Sequence, residues 1–306
     1  MQLFREHPGP VDSATALAGY EIARHRLPTA VLPASSQRAD HLGDLLAHYD
    51  AFLLDGYGVL NRGAQPVPGA VDRFAQLRAA GRKIVVLTNG ATPTAEAARA
   101  KYRALGFELA PEELVASREI ASLHLPDLLS SGTWAAIAGE GDSFPDLSVP
   151  LEDLQENPGL LETADAFLFL SSDRWDWSWQ DRLVEALRAR PRPLVVANPD
   201  LVAPREDSLS VEPGAYAHHL ADECGIEPRF FGKPFAEAFA IAMARTGIPP
   251  HRTVMVGDTL HTDVLGGAAA GCATVLVTDH GLFAGLDPEP FIERSGLRPH
   301  WIVPTT

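Results

Sequence analysis

The chain has 306 residues, long enough for one large domain or two of ordinary size. Its 46% hydrophobic and 21% charged content describes a soluble globular protein, and a formal charge of −15 argues against nucleic acid as a partner. The same charge repels a phosphorylated ligand unless a cation or local positive groups intervene.

Two cysteines, Cys224 and Cys272, stand far apart and form no metal-type or redox pair, which points to a reducing compartment. No apolar run reaches the ~18 to 20 residues that cross a bilayer, and the first residues lack a signal-peptide pattern. The expectation is a cytoplasmic protein with no membrane partner.

Residues 1–40 have mixed polarity with scattered Pro and Ser, and read as a poorly defined extension leading into a helix. The leucines of Asp40–His48 have helical spacing. Asp50-Ala-Phe-Leu-Leu-Asp55 is a short apolar run of the kind found in buried parallel strands, and Gly-Tyr57-Gly lets the chain turn directly after it. A helix is expected from Pro66–Gly69 through Arg78, then a strand at Lys83–Gly90, then an alanine-rich helix at Thr94–Leu105.

From Phe107 the pattern changes to shorter units. Trp134–Gly139, Ala166–Leu170 and Pro193–Asn198 read as strands, with a helix at Trp179–Arg190. The outer pattern then resumes. Pro213–Cys224 and Phe235–Thr246 read as helices, and Arg229–Lys233 as a short strand and loop. Thr253–Asp258 is a strand, Thr262–Gly271 a helix and Ala273–Thr278 a strand. Strands alternating with helices of this length indicate an α/β fold with a central parallel sheet.

Four strand ends supply Asp55, then Thr88-Asn89-Gly90, then Lys233, then Asp258 with Asp263 beyond it. In open α/β sheets ligands bind at the carboxyl ends of the strands. A carboxylate can attack phosphorus, while a Thr hydroxyl, an Asn amide and backbone N–H groups can hold the non-bridging oxygens. The lysine would offset acid–phosphate repulsion. Clustered carboxylates are consistent with a shared hard cation, Mg²⁺ being one that favours oxygen ligands and phosphate.

These segments resemble the motifs of the haloacid dehalogenase (HAD) superfamily, in its class IIA branch of NagD-like and pyridoxal phosphate phosphatase-like enzymes. Asp55-Gly-Tyr-Gly-Val-Leu60 is similar to the first motif, Leu87-Thr-Asn-Gly90 to the second, Gly232-Lys-Pro234 to the third and Val256–Asp263 to the fourth. Asn198-Pro-Asp200, followed by Pro213-Gly214, resembles the return from the cap to the core. The resemblance implies a Rossmann-like core at residues 46–97 plus 208–306, a large inserted α/β cap of C2 type at 98–207, and an N-terminal extension at 1–45.

It also implies roles. Asp55 is the nucleophile and a Mg²⁺ ligand, and Asp258 is the second carboxylate ligand. Asp263 lies mostly outside the ligand set, and the Tyr57 carbonyl is a third ligand. Thr88, Asn89 and the Gly90 N–H hold the phosphoryl group, with Lys233 bridging it and Asp55. The implied activity is Mg²⁺-dependent hydrolysis of a small phosphorylated metabolite through an aspartyl-phosphate. In the proteins the chain resembles, caps of this kind often carry homodimer contacts.

One departure bears on mechanism. Members of this family carry a second aspartate two residues after the nucleophile, and this chain has Tyr57. General acid–base help of that kind is worth ~10²- to 10⁴-fold. Its loss leaves three outcomes: slow hydrolysis that favours good leaving groups, phosphotransfer to another acceptor, or phosphate-ester binding without turnover. A nucleotide-dependent dehydrogenase is a weaker rival, because no glycine-rich phosphate loop follows the first strand.

Several other residues carry blander expectations. His261 is expected to be solvated, His218 and His219 to point apart on one helix, and His280 to lie near the last core strand. The cluster Trp175, Trp177 and Trp179 serves either packing or contact with a ring-bearing substrate.

Overall fold

The computed structural model describes residues 1–7, 10–129, 131–205 and 208–306. Seven parallel strands form the larger sheet, in the order 37–38, 301–303, 273–277, 253–257, 51–54, 83–88 and 114–116. The strand Ala51–Leu54 lies inside the sheet, between 253–257 and 83–88, with every residue buried, as an unbroken Ala-Phe-Leu-Leu run demands. Successive side chains serve opposite faces. Phe52, Leu54, Val254 and Val256 join one apolar cluster, while Leu53, Met255 and Val85 join another.

A second sheet of five parallel strands has the order 229–230, 194–196, 166–169, 134–137 and 151–153. One face is covered by the helices Trp177–Ala189 and Pro213–Cys224, with Leu183, Leu187 and Leu220 buried among Phe167 and Phe169. Its other face shares a cluster with the larger sheet. Ala136, Leu168 and Val195 pack in the same group as Leu87, Val115, Ile120 and Phe239. The two sheets are therefore joined by a continuous apolar layer.

The chain does not divide between the sheets quite as the sequence suggested. Leu114–Ala116 pairs with Lys83–Thr88 in the larger sheet, although the expected insert begins at residue 98. Arg229–Phe230 pairs with Leu194–Val196 in the smaller sheet, although it lies in the expected core. Both strands are two or three residues long, and partner choice for so short a segment depends on tertiary neighbours.

The expectation of a poorly defined start is corrected. Gln2–Arg5 and Ser13–Ala23 are helices, and Gln37–Arg38 forms an edge of the larger sheet. Asp12 caps the second helix by accepting from the Thr15 N–H at 2.7 Å. Phe4, Leu17 and Tyr20 pack against Leu201, Leu260 and Leu265. The helix expected over Asp40–His48 is a single 3₁₀ turn, Leu42–Leu45. That expected at Thr262–Gly271 begins as a π turn at Leu260–Val264 and continues as Leu265–Ala269. Among the described residues no helix is long and apolar enough to cross a membrane.

Candidate active site

Strand register brings the acids together. Leu54 pairs with Val256 on one side and with Val86 on the other, so Asp55 emerges between Gly257-Asp258 and Leu87-Thr88. The Asp55 N–H donates to the Val256 carbonyl at 2.9 Å and anchors this exit. Gly58 then turns back with φ of 77°, and a Cβ there would lie 2.5 Å from Asp258 Oδ2. Glycine is needed at that position both for the left-handed backbone and for the room.

Lys233 is 1% exposed and lies between two carboxylates. Its Nζ is 2.6 Å from Asp55 Oδ1 and 2.7 Å from Asp263 Oδ1. Burial disfavours its charge, but Asp263, Asp55 and Asp200 together outweigh that cost and raise its pKa. Asp263 Oδ2 accepts from the Thr259 N–H at 3.0 Å. Asp258 accepts from the Thr259 hydroxyl at 2.9 Å and from the Leu282 N–H at 2.8 Å.

Carboxylate oxygens of Asp55, Asp258 and Asp263 all lie within 4.8 Å of one another, the one such cluster found among the described residues. Burial pushes Asp258 up to about 6, and it pushes Asp55 well above the ordinary carboxylate range. With Asp200 beside them, one lysine faces four acids. An all-oxygen donor set with surplus negative charge fits a hard divalent cation, which Asp55 and Asp258 can hold with the neighbouring backbone.

The second-motif residues sit at the site, with duties that the sequence did not reveal. The Gly90 N–H donates to Thr88 Oγ1 at 3.1 Å. The Asn89 side chain is occupied by the fold. Its Nδ2 donates to Asp200 Oδ1 at 2.8 Å and to the Lys233 carbonyl at 2.9 Å. Its Oδ1 accepts from the Lys233 N–H at 2.7 Å and from the Ser117 hydroxyl at 3.2 Å. Asn89 thus ties three chain segments together, and its amide has no hydrogen left to offer a phosphoryl oxygen.

A cavity of about 260 Å³ opens over these residues, lined among others by Asp55, Tyr57, Thr88, Lys101, Asp200 and Asp258. Tyr57 accepts a hydrogen bond at its hydroxyl from Lys101 Nζ at 2.9 Å. Sequence reasoning gave no role to Lys101 or Asp200. Lys101 lies on an ordinary amphipathic helix, and Asp200 was noted only as part of the return from the insert.

The remaining candidates fall outside the cavity. His261 is buried, contrary to expectation, because the N-terminal helix covers it. Tyr20 stacks on its ring at 5.0 Å and Glu21 pairs with its Nε2. His218 stacks on Phe230, His219 contacts Gln180, and His280 contacts the Thr305 hydroxyl. Trp175 is buried and donates to Gln180, Trp179 stacks on Trp175, and Trp177 packs on Tyr216. The tryptophans serve packing. Cys224 and Cys272 are free thiols.

Two family models match the chain: haloacid dehalogenase-like hydrolase over residues 52–144 and HAD-hydrolase-like over residues 230–303. A human glycerol-3-phosphate phosphatase is 33% identical over 264 residues, covering 78% of this chain and 81% of that protein. Among solved structures, a possible sugar phosphatase of the HAD superfamily from Cytophaga hutchinsonii superposes with a TM-score of 0.78 at 26% identity. It covers 89% of this chain and 98% of its own. A glycerol phosphate phosphatase from Mycobacterium tuberculosis, solved in complex with magnesium, has a TM-score of 0.61 at 27% identity. That match covers 77% of this chain and 70% of the other.

Proposed function

Because the chain belongs to the haloacid dehalogenase-like hydrolases, in their NagD-like class IIA branch, we propose that it is a Mg²⁺-dependent phosphatase of a small phosphorylated metabolite. The observation that carries this reading is the position of Lys233, in contact with both Asp55 and Asp263, with Asp258 completing the cluster. The phosphatase names of the relatives support it, as does the magnesium complex of the mycobacterial protein.

Asp55 is the nucleophile. Its carboxylate faces the cavity, and the Gly56 N–H donates to Oδ1 at 2.6 Å, which orients the side chain. Lys233 and the second-motif loop receive the non-bridging phosphoryl oxygens. A divalent cation held by Asp55, Asp258 and the Tyr57 carbonyl would supply charge neutralisation at the phosphoryl group. Asp263 holds Lys233 and the Thr259 backbone, and so fixes the lysine's direction. The cavity suits a compact ester better than a long one.

The test is hydrolysis of an aryl phosphate and of a panel of phosphorylated metabolites with and without Mg²⁺. Asp55→Asn should abolish turnover. Full turnover in that variant would rule out covalent catalysis by Asp55. A second reading, ester binding without turnover, is favoured by the engagement of the Tyr57 hydroxyl with Lys101. Tight ligand binding with no product release would select it.

A further inference from the structure

An alkoxide expelled from phosphorus needs a proton, and the water that opens an acyl phosphate must lose one. No residue assigned so far does this. Of the other acids lining the cavity, Glu212 accepts from Asn198 at 3.0 Å, Ser210 at 2.5 Å and Arg205 at 3.1 Å. Asp173 faces the Arg205 guanidinium at 3.8 Å. Glu212 is thus occupied by three donors, and Asp173 is turned toward a guanidinium.

Asp200 differs. Its Oδ1 accepts from Asn89 and its backbone N–H donates to Asn198 Oδ1 at 3.1 Å, so the residue is fixed in place. Among the described residues none donates to its Oδ2, and the residue lines the same cavity as Asp55 and Tyr57.

We propose that Asp200 is the general acid and base of this site, supplying from the return of the insert the proton chemistry that position 57 lacks. The proposal rests on the phosphatase reading. Burial, reinforced by Asp263 and Glu212 and opposed by Lys233 and the Asn89 hydrogen bond, raises the Asp200 carboxyl to about 7. Tyr20 of the N-terminal helix adds a buried phenol nearby, its own titration raised by burial and by Asp200. A group that must first donate and later accept works best when both forms are populated at the operating pH.

The steps balance. Asp55 oxygen bonds to phosphorus, the ester P–O bond breaks, and the leaving oxygen takes the Asp200 proton. Water oxygen then bonds to phosphorus and gives a proton to the Asp200 carboxylate. The bond between phosphorus and Asp55 breaks, releasing inorganic phosphate and restoring both acids.

The experiment compares Asp200→Asn, Asp200→Glu and the pair Asp200→Asn with Tyr57→Asp, all with Mg²⁺. One substrate is an alkyl phosphate such as glycerol 3-phosphate, and the other is p-nitrophenyl phosphate, whose leaving group needs no proton. Asparagine keeps an oxygen to accept from Asn89. Asp200→Asn should lose roughly 100-fold or more on the alkyl ester. On the aryl ester it should release about one equivalent of nitrophenolate per site in a burst, then turn over slowly as the acyl phosphate accumulates. Adding Tyr57→Asp should restore about tenfold or more of the lost alkyl turnover, and Asp200→Glu should exceed Asp200→Asn.

Alkyl turnover in Asp200→Asn within about threefold of the unaltered protein overturns the proposal. So does an equal loss on both esters without a burst, or Asp200→Glu no better than Asp200→Asn. An unaltered protein that hydrolyses neither ester nor any phosphorylated metabolite defeats the phosphatase reading itself, and that result appears before any substitution is made.

Discussion

The Tyr57 hydroxyl lies 2.9 Å from Lys101 Nζ, and the same ammonium sits 4.4 Å from the centroid of the Tyr57 ring. Lys101 is thereby directed into the cavity with no carboxylate partner among the described residues. In a chain of charge −15 such a lysine is unusual, and with Arg205 it adds positive charge to the cavity wall.

Lys101→Met should raise KM for phosphate monoesters several-fold while kcat stays within about threefold, because the lysine attracts ester without touching the reacting bond. Steady-state kinetics at low and high salt checks this. The KM difference should shrink as salt screens the charge. A kcat loss with unchanged KM would contradict the assignment.

Asn89→Ala removes four hydrogen bonds, to Asp200, to both backbone groups of Lys233 and to Ser117. Buried groups left unpaired cost ~1 to 3 kcal/mol each, though partly relieved by water at the cavity. The variant should unfold several degrees earlier and turn over far more slowly, since Lys233 loses its backbone support. Unchanged melting would show that Asn89 does not hold these segments together.

Arg118 is 1% exposed and binds Asp142 at 2.5 Å and Asp146 at 2.8 Å, while its Nη1 also donates to the Ala91 and Thr92 carbonyls. It thus fastens a loop of the smaller-sheet unit to the chain just past the second motif. Breaking a buried ion pair from one side costs ~3 to 5 kcal/mol. Arg118→Met should show that loss in urea denaturation, with weaker substrate binding. A variant as stable as the parent would show that the pairing is energetically idle.

Mg²⁺ should stabilise the protein more at pH 8 than at pH 5.5. The folded carboxyls of Asp258 and Asp200 are raised to about 6 and about 7. A carboxyl raised on folding favours the folded state while protonated, and that contribution is lost as pH rises through the folded value. Ionised at pH 8, the acids repel one another and a cation relieves them. At pH 5.5 protons already do so and must be displaced. Buried histidines such as His218, lowered to about 3 by burial, affect stability equally with and without the ion, so the difference in melting temperature isolates the site. A Mg²⁺-induced shift that does not vary with pH would contradict this.

Asp55, Thr88, Lys233 and Asp258 were marked in the sequence because each follows the end of a short apolar run, and Asp263 because it lies beyond Asp258 in the segment that resembles the fourth motif. The structure brings all five to one cavity edge or its floor. Asn89 was found but its duty was not, because the partners of an amide 111 and 144 residues away leave no local trace. The buried state of His261 escaped for a related reason. It depends on Tyr20 and Glu21, from a segment whose mixed polarity conceals a helix with one packed face.

Alternation of strand and helix, and the acids at the strand ends, are local properties of the chain: backbone preference and apolar spacing act within a few residues. The placement of Arg229–Phe230 in the smaller sheet, the clasp between Lys101 and Tyr57, and the desolvation of Asp200 near Lys233 arise only when distant segments meet. Electrostatic coupling and desolvation depend on separation in space, which spacing along the chain does not encode.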